Sequence, residues 1–360
     1  MLVAAGDTVL DIDEGTAVIV DAERGWIDVD PPPSERAAAE ATASQRAAQS
    51  REDLAGALDP AVTTDGVRII VKANLGTAEE ARVAVAAGAE GCGLLRTEFL
   101  FLDRREPPGE DEQAAEYHRI ARALDGRPLN VRTLDAAGDK PVAYLPMPRE
   151  DNPALGLRGI RATRDRPDIL RTQLRAVLRV SPPGACRVLL PMVNDLEELR
   201  AVRALAIQCA AEMKLDAPPP IGVMIETPSA ALLANQLARE ADFLSLGTND
   251  LAQYTLAVDR GHPNLGARLD ALHPAVLRLI AVAADAAREA GKPIAVCGAL
   301  GSDPDALPML IGLGVREISA STAAIPRLKR TIRGLNAAAC TELAQRALEL
   351  DSAQAVRSLT

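Results

Sequence analysis

The feature that most constrains the fold is a regular alternation of apolar runs with helix-like segments over residues 67–335. Continuous apolar strands that alternate with helices indicate a parallel sheet covered on both faces. Eight such units over roughly 270 residues predict an α/β fold, a (β/α)8 TIM barrel. The runs are VRIIVKANL, GCGLLRTEF, LNVRTLD, CRVLLPMV, IGVMIET, DFLSLG, KPIAVCG and REISAS.

The alternative with the same element order is an open, doubly wound sheet. Such a sheet more often carries a glycine-rich phosphate turn after its first strand. The first strand is followed instead by ANLGTAEE, without the GxGxxG spacing. The barrel is therefore the favoured architecture.

Three segments are expected along the chain. Residues 1–33 form short β-like runs that end in PPP, and residues 34–60 are alanine-rich, polar and weakly amphipathic. The second segment suits a linker helix better than a core helix. Residues 61–360 then form the barrel domain.

Composition excludes several classes of function. Hydrophobic residues make up 48% of the chain but aromatic residues only 2%, so aliphatic packing must fill the core. The net charge of −10, without a basic stripe, argues against nucleic acid as a partner. The five cysteines show no CxxC pairing, which disfavours a disulfide framework or a zinc site. Without a long apolar run or a signal peptide, we expect a soluble, cytoplasmic protein with no membrane insertion.

Polar residues at the predicted strand ends suggest a metal site. Active sites of such barrels lie at the carboxyl ends of the strands. Glu226 and Asp250 follow consecutive strands, which lie about 4.8 Å apart in a sheet. Two carboxylates this close repel unless a cation lies between them, and their oxygens suit Mg²⁺, or alternatively Mn²⁺.

Cations follow the same strand ends. Arg96, Arg132 and Arg260 could bind a phosphate or carboxylate by two-point contacts, and Cys297 could carry one proton. Any of these residues alone is more often an ordinary rim residue, and a lone cysteine is more often a small buried hydrophobe. The joint pattern favours a small, phosphate-bearing anion as the ligand.

The histidines do not fit this pattern. His118 lies in a helical segment, where we expect a solvated helix face, and His262 lies in a loop. His273 precedes a proline and is expected to begin a helix.

The chain contains the long motifs GCGLLRTEFLFLDR, VRTLDAAGDK, NPALGLRGIRATRDRPDILRTQLRAVLR, GVMIETPSAAL, SLGTNDLAQYTLAVDRG and VCG. These motifs resemble enzyme I of the bacterial sugar phosphotransferase system, the phosphoenolpyruvate–protein phosphotransferase family. The resemblance covers roughly 60–335 and points to the C-terminal phosphoenolpyruvate-binding barrel of that family. Related dikinases and phosphoenolpyruvate synthases share the RTE and GTND elements, whereas AVDRG and the GDK loop are more similar to enzyme I.

The resemblance implies roles for the strand-end residues. Arg96 and Arg132 would bind the phosphate of phosphoenolpyruvate, while Glu226 and Asp250 would hold Mg²⁺. Phosphoryl transfer requires that the negative charge on the moving group be neutralised. A metal ion and arginines provide the positive charge for this.

The resemblance also implies the remaining members of the site. Asn249 and Arg260 would contact the substrate, and Cys297 would donate a proton to the enolate carbon, which gives pyruvate. Arg158 and Lys140 would line the same mouth.

The chain departs from the family in three respects. Ala299 stands where the family usually has a glutamate that would orient the thiol, and Ala137 replaces a glycine of GGDK. The GGxTSHxAI-type motif, which carries the phosphate-accepting histidine, does not occur in the chain. Residues 1–33 are therefore expected to be a remnant of the phosphohistidine domain.

These observations leave several functions open. The first is phosphoryl donation to a phosphohistidine domain, which would serve a histidine-containing carrier protein in sugar transport, with a homodimer as the expected assembly. The alternatives are a non-catalytic phosphoenolpyruvate-sensing or dimerisation module, a dikinase-like enzyme, and a Mg²⁺-dependent lyase that acts on a pyruvate-containing acid.

Overall fold

The computed structural model describes residues 9, 11–21, 26–102, 104–136, 144–145, 150–180, 185–262 and 264–359. The chain divides into two compact units, Met1–Ala55 and Gly56–Thr360. Each unit is described separately.

The described residues of the first unit form a pair of strands and one helix. Strands β1 (Val18–Asp21) and β2 (Trp26–Val29) pair antiparallel. Helix α1 (Pro33–Ala55) begins at a proline, which lacks the N–H that a first helical residue would leave unpaired. The helix ends at Ala55, before the expected boundary at residue 60.

The second unit is a closed barrel, which confirms the predicted fold. Eight neighbouring strands pair in parallel in chain order, and the last pairs with the first through Ile318 opposite Val71. This closure excludes the open sheet. The barrel strands are β4 (Arg68–Leu75), β5 (Cys92–Leu95), β6 (Leu129–Arg132), β7 (Cys186–Leu190), β8 (Ile221–Ile225), β9 (Phe243–Leu246), β10 (Ile294–Val296) and β11 (Glu317–Ala320).

Helices surround these strands. They are α2 (Ala78–Ala86), α3 (Glu98–Phe101), α4 (Glu110–Ala123), α5 (Ile160–Asp165), α6 (Pro167–Leu178), α7 (Leu196–Glu212), α8 (Pro228–Leu232), α9 (Ala234–Glu240), α10 (Thr248–Leu256), α11 (Pro274–Glu289), α12 (Leu307–Gly312), α13 (Ile325–Gly334), α14 (Ala337–Glu349) and α15 (Ala353–Arg357). No helix in the described part of the chain is long and apolar enough to cross a membrane.

The strands present alternate residues to two layers of core. On β9, Leu244 and Leu246 belong to the large core shared with the helices, whereas Phe243 belongs to a smaller cluster inside the barrel. A Cβ atom at Gly222 would lie 2.3 Å from the Phe243 ring, so a glycine is required there. The ring of Phe243 thus fills the barrel interior over Gly222.

Three elements of this unit were not anticipated. A short strand, β3 (Ala61–Val62), pairs antiparallel with β4. Helices α14 and α15 follow the eighth strand–helix unit, and Cys340 and Ala344 of α14 are buried in the main core. All five cysteines are free and buried.

Candidate active site at the carboxyl end of the barrel

A cavity of about 280 Å³ opens at the carboxyl ends of the strands. Seven residues that the sequence analysis singled out lie in its wall, although they come from five strand ends. The lining is Leu94, Arg96, Glu98, Phe99, Leu102, Arg132, Asp135, Met224, Glu226, Gly247, Asn249, Asp250, Arg260, Cys297 and Gly298.

Arg132 is held in place by two carboxylates that the predicted site did not include. It forms a buried ion pair with Glu98, and its Nη1 lies 3.4 Å from an oxygen of Asp135. Burial alone would lower the pKa of Arg132, but the charges of Glu98, Asp135 and Glu226 raise it. The guanidinium therefore remains charged although it is almost completely buried.

Asp135 connects this arginine to a second one. Arg158 donates to Asp135 (3.0 Å) and to Asp250 (2.9 Å), and it also donates to the hydroxyl of Tyr254 (3.1 Å). Burial lowers the pKa of Arg158, but the two carboxylates raise it more. Arg158 lies behind the wall of the first cavity and lines a neighbouring cavity of about 690 Å³, which it shares with Arg260.

Glu226 follows β8 and is almost completely buried. Its Oε1 accepts a hydrogen bond from the backbone N–H of Met192, at 2.6 Å. Burial raises the pKa of Glu226, and the nearby charges of Asp250 and Asp135 raise it further. A group in this environment gains from any cation that approaches it.

Gly247 provides the space for Glu226. A Cβ atom at residue 247 would lie 2.7 Å from both the Cβ and the Oε2 of Glu226. The φ angle of Gly247 is −88°, which other residues also adopt. Close approach to the carboxylate, and not an unusual turn, therefore explains this glycine.

The donor set suits a metal that takes few protein ligands. Among the residues that the structure describes, no group of three or more His, Cys, Asp and Glu side chains is arranged to hold a metal. Glu226 and Asp250 both line the cavity as carboxylates. Mg²⁺ commonly binds one or two carboxylates and completes its coordination with water and substrate oxygens.

Two arginines at the mouth are more accessible. Arg96 is exposed, and the side chain of Arg260 is 38% exposed and lies 3.8 Å from Asp250. The backbone N–H of Arg260 donates to Gln253 (3.1 Å), which holds this segment against α10. Both guanidinium groups can therefore reach a ligand that enters from solvent.

Cys297 lies at the inner end of the cavity, and two asparagines hold the backbone at Cys297 and Ala299. Asn74 donates to the carbonyl oxygen of Cys297 (3.1 Å), and Asn249 accepts from the N–H of Ala299 (2.8 Å). The thiol donates to the carbonyl of Leu246 at 3.5 Å. Burial raises the pKa of Cys297 to about 11, so the thiol is protonated at neutral pH.

The remaining predicted residues have different outcomes. Lys140 and Ala137 lie outside the described residues. Glu98 and Asp135 were missed as members of the site, although Asp135 follows Arg132 by three residues and both carboxylates stand at strand ends. His273 caps α11 by accepting from Ala275, as predicted, whereas His118 is half-buried on α4 and not a fully solvated residue.

Comparisons with known proteins identify the family of the chain. The family model described as "PEP-utilising enzyme, PEP-binding domain" matches residues 51–337. The chain therefore belongs to the phosphoenolpyruvate-binding domain family of phosphoenolpyruvate-utilising enzymes, which confirms the resemblance seen in the motifs.

Named relatives match almost the whole chain. A multiphosphoryl transfer protein of Xanthomonas campestris pv. campestris is 48% identical over 99% of the chain and 43% of its own length. A phosphoenolpyruvate-protein phosphotransferase of Haemophilus influenzae is 42% identical over 97% of the chain and 61% of its own length. The chain thus spans about half the length of these relatives.

Proposed function

We propose that this chain is the phosphoryl-donating part of a phosphoenolpyruvate–protein phosphotransferase. The reaction would convert phosphoenolpyruvate and a protein histidine to pyruvate and a protein phosphohistidine. The supporting observation is that Arg96, Arg132 and Arg260 share one cavity with two carboxylates and a buried thiol. The similarity to named phosphotransferases supports the same conclusion.

The arginines would bind the phosphate. Arg132 is oriented by Glu98 and Asp135, so its position does not depend on the ligand. Arg96 and Arg260 are accessible at the mouth and would close on the phosphate from the solvent side. Charge on the moving phosphoryl group would be neutralised without reorganisation of the buried part of the site.

Glu226 and Asp250 would hold Mg²⁺, or Mn²⁺ in its place. The metal would polarise substrate oxygens and neutralise negative charge. The described geometry supports this assignment because the pKa of Glu226 is raised by burial and by two neighbouring carboxylates, which a cation would relieve. Asn249, Arg158 and Lys140 would contact the substrate or line its entrance.

Cys297 would complete the reaction as a proton donor. After the bond between phosphorus and the enolate oxygen breaks, the enolate oxygen becomes the carbonyl of pyruvate. The electron pair of the carbon–carbon double bond forms a new C–H bond at the methylene carbon, while the S–H bond breaks and its electrons stay on sulfur. The thiol suits this role because it is protonated at neutral pH.

Calorimetry with phosphoenolpyruvate tests the proposal. The wild-type chain should bind phosphoenolpyruvate in the presence of Mg²⁺, and binding should weaken when the metal is chelated. Asp250→Asn should weaken Mg²⁺-dependent binding by about 10- to 100-fold, because it removes one charged ligand. Asp285→Asn changes an exposed carboxylate that pairs with Arg288, and it should bind as the wild type does. Binding that is absent or independent of metal would contradict the proposal.

The proposal extends to partners and location. The acceptor would be a phosphohistidine domain, which in turn serves a histidine-containing carrier protein in sugar transport. Residues 1–33 would be the last strands of such a domain, and 34–60 would be a linker whose helix α1 ends at Ala55. A cytoplasmic homodimer would be the working assembly. Sedimentation of the chain at micromolar concentration tests the dimer.

A second candidate function is a phosphoenolpyruvate sensor without transfer activity. Ala299 favours it, because this position cannot supply a carboxylate to the thiol. The N-terminal part of the Haemophilus influenzae relative, added to the chain, distinguishes the two functions. Pyruvate release together with phosphohistidine would exclude a purely sensory role.

A further inference from the structure

Ser245 presents an unexplained polar group directly below the proposed proton donor. Its side chain is completely buried on β9, yet its hydroxyl has no well-aligned hydrogen-bond partner among the residues that the structure describes. An unsatisfied buried hydroxyl costs about 1–3 kcal/mol. Such a group in a barrel interior therefore calls for a functional explanation.

The strand register pairs Ser245 with Ala295, two residues before Cys297, so Ser245 and Cys297 lie on the same face of neighbouring strands. Leu244 and Leu246 face the helices, so Phe243 and Ser245 face the barrel interior. Cys297 belongs to the same interior cluster as Phe243, and its backbone N–H donates to the carbonyl of Leu246, at 3.0 Å. The two side chains therefore lie on the same interior surface of neighbouring strands.

The environment of the thiol changes when its proton leaves. In the thiol form, the S–H group donates to the carbonyl of Leu246. A thiolate has no proton to donate and would face that carbonyl oxygen with a negative charge. The backbone at Cys297 is held by Asn74 and by the carbonyl of Leu246, which keeps the thiol on the interior face of the barrel.

We propose that Ser245 is a positioning residue for Cys297, whose hydroxyl donates a hydrogen bond to the sulfur once the thiolate has formed. The inference rests on the proposed function, because only proton delivery to the enolate carbon creates that thiolate. This role of Ser245 explains how the chain stabilises the thiolate of Cys297 although Ala299 offers no carboxylate. In agreement with this geometry, the contact with Ser245 lowers the pKa of Cys297, against the larger effect of burial.

Hydrogen exchange at the methyl group of pyruvate in D₂O isolates this step from phosphoryl transfer. The wild-type chain with Mg²⁺ should exchange these hydrogens, as measured by ¹H NMR, because Cys297 must act as the base. Ser245→Ala should slow the exchange by about 10- to 100-fold at saturating pyruvate, as expected for a lost hydrogen bond to a charged group. Its KM for pyruvate and its Kd for phosphoenolpyruvate should stay within about twofold of the wild type.

Thermal unfolding separates a positioning role from a structural one. Ser245→Ala removes an unsatisfied hydroxyl, so its Tm should equal or exceed that of the wild type. Ser245→Thr retains the hydroxyl and should recover part of the exchange rate. Thr133→Val removes another buried hydroxyl without a partner in the described structure, outside the cavity wall, and should leave the exchange rate unchanged.

The outcomes distinguish the two proposals. If the wild-type chain neither binds phosphoenolpyruvate nor exchanges pyruvate hydrogens, the proposed function fails and the role of Ser245 fails with it. If the wild type does both and Ser245→Ala exchanges at the wild-type rate, only the role of Ser245 is overturned. A large loss of Tm or of phosphoenolpyruvate affinity in Ser245→Ala would also overturn it, because the hydroxyl would then be structural.

Discussion

At the scale of single residues, the site is a set of charges that hold one another in place. Arg132 and Arg158 share Asp135, and Arg158 also pairs with Asp250. Buried ion pairs of this kind contribute little net stability, but removal of one partner leaves an uncompensated charge. The network is therefore better explained by orientation of the arginines than by stabilisation of the fold.

The reactivity of Cys297 should follow its raised pKa. Burial raises this pKa to about 11, so the thiolate fraction is small at pH 8 and grows about tenfold per pH unit below pH 11. Alkylation by iodoacetamide, followed by mass spectrometry between pH 7 and 9.5, should show this slope at Cys297. Cys297→Ser reports the background from the four other buried cysteines. A rate that levels off near pH 8.5 would contradict the expectation.

At the scale of elements, the connection from β9 to α10 delivers the polar residues of the site. Asn249 and Asp250 lie in the first turn of α10, directly after Gly247. This first turn brings Asp250 to the same cavity as Glu226, which follows the neighbouring strand β8. The helix start, and not the strand itself, therefore positions the second carboxylate.

Gly247→Ala tests how closely this turn approaches Glu226. The added Cβ would meet the carboxylate at 2.7 Å, so Glu226 must move. We expect a loss of about 1–3 kcal/mol in the free energy of unfolding, with weaker Mg²⁺-dependent phosphoenolpyruvate binding. Urea unfolding and calorimetry measure the two effects.

Gly334→Ala is the matched control for this substitution. A Cβ atom at residue 334, near the end of α13, would meet no atom within 4 Å. This variant should be as stable as the wild type, or slightly more so, because alanine restricts the unfolded chain. Equal behaviour of the two variants would exclude the close-approach explanation for Gly247.

At the scale of the whole molecule, helices outside the eight strand–helix units also pack onto the closed barrel. Helix α14 packs against α12 and α11, and its Ala344 belongs to the main core. The (β/α)8 pattern ends before α14. The hydrophobic periodicity of the sequence therefore does not indicate which helices α14 packs against. The C-terminal helix is nevertheless an integral part of the second unit.

Ala344→Asp should show that α14 is required for stability. The substitution places a charge in a fully packed position, and we expect a loss of several kcal/mol in the free energy of unfolding. Gln345→Asp changes the adjacent, exposed position and should stay within about 0.5 kcal/mol of the wild type. Similar urea midpoints for the two variants would contradict a buried α14.

The sequence by itself determined the barrel and most members of its site. The apolar runs have the length and spacing of parallel strands, and polar residues at strand ends must meet at one face because the strands are parallel. Arg96, Arg132, Glu226, Asp250, Arg260 and Cys297 were found from this pattern and Asn249 from the resemblance, and all seven line the cavity.

Only the tertiary structure decided how these residues are held. The pairing of Glu98 with Arg132, the shared position of Asp135, and the burial of Ser245 below Cys297 depend on contacts between strands that are distant in the chain. Periodicity reports which face a residue occupies, but it does not report which side chain lies opposite. Partner choice, and with it the pKa and orientation of each group, follows from barrel closure.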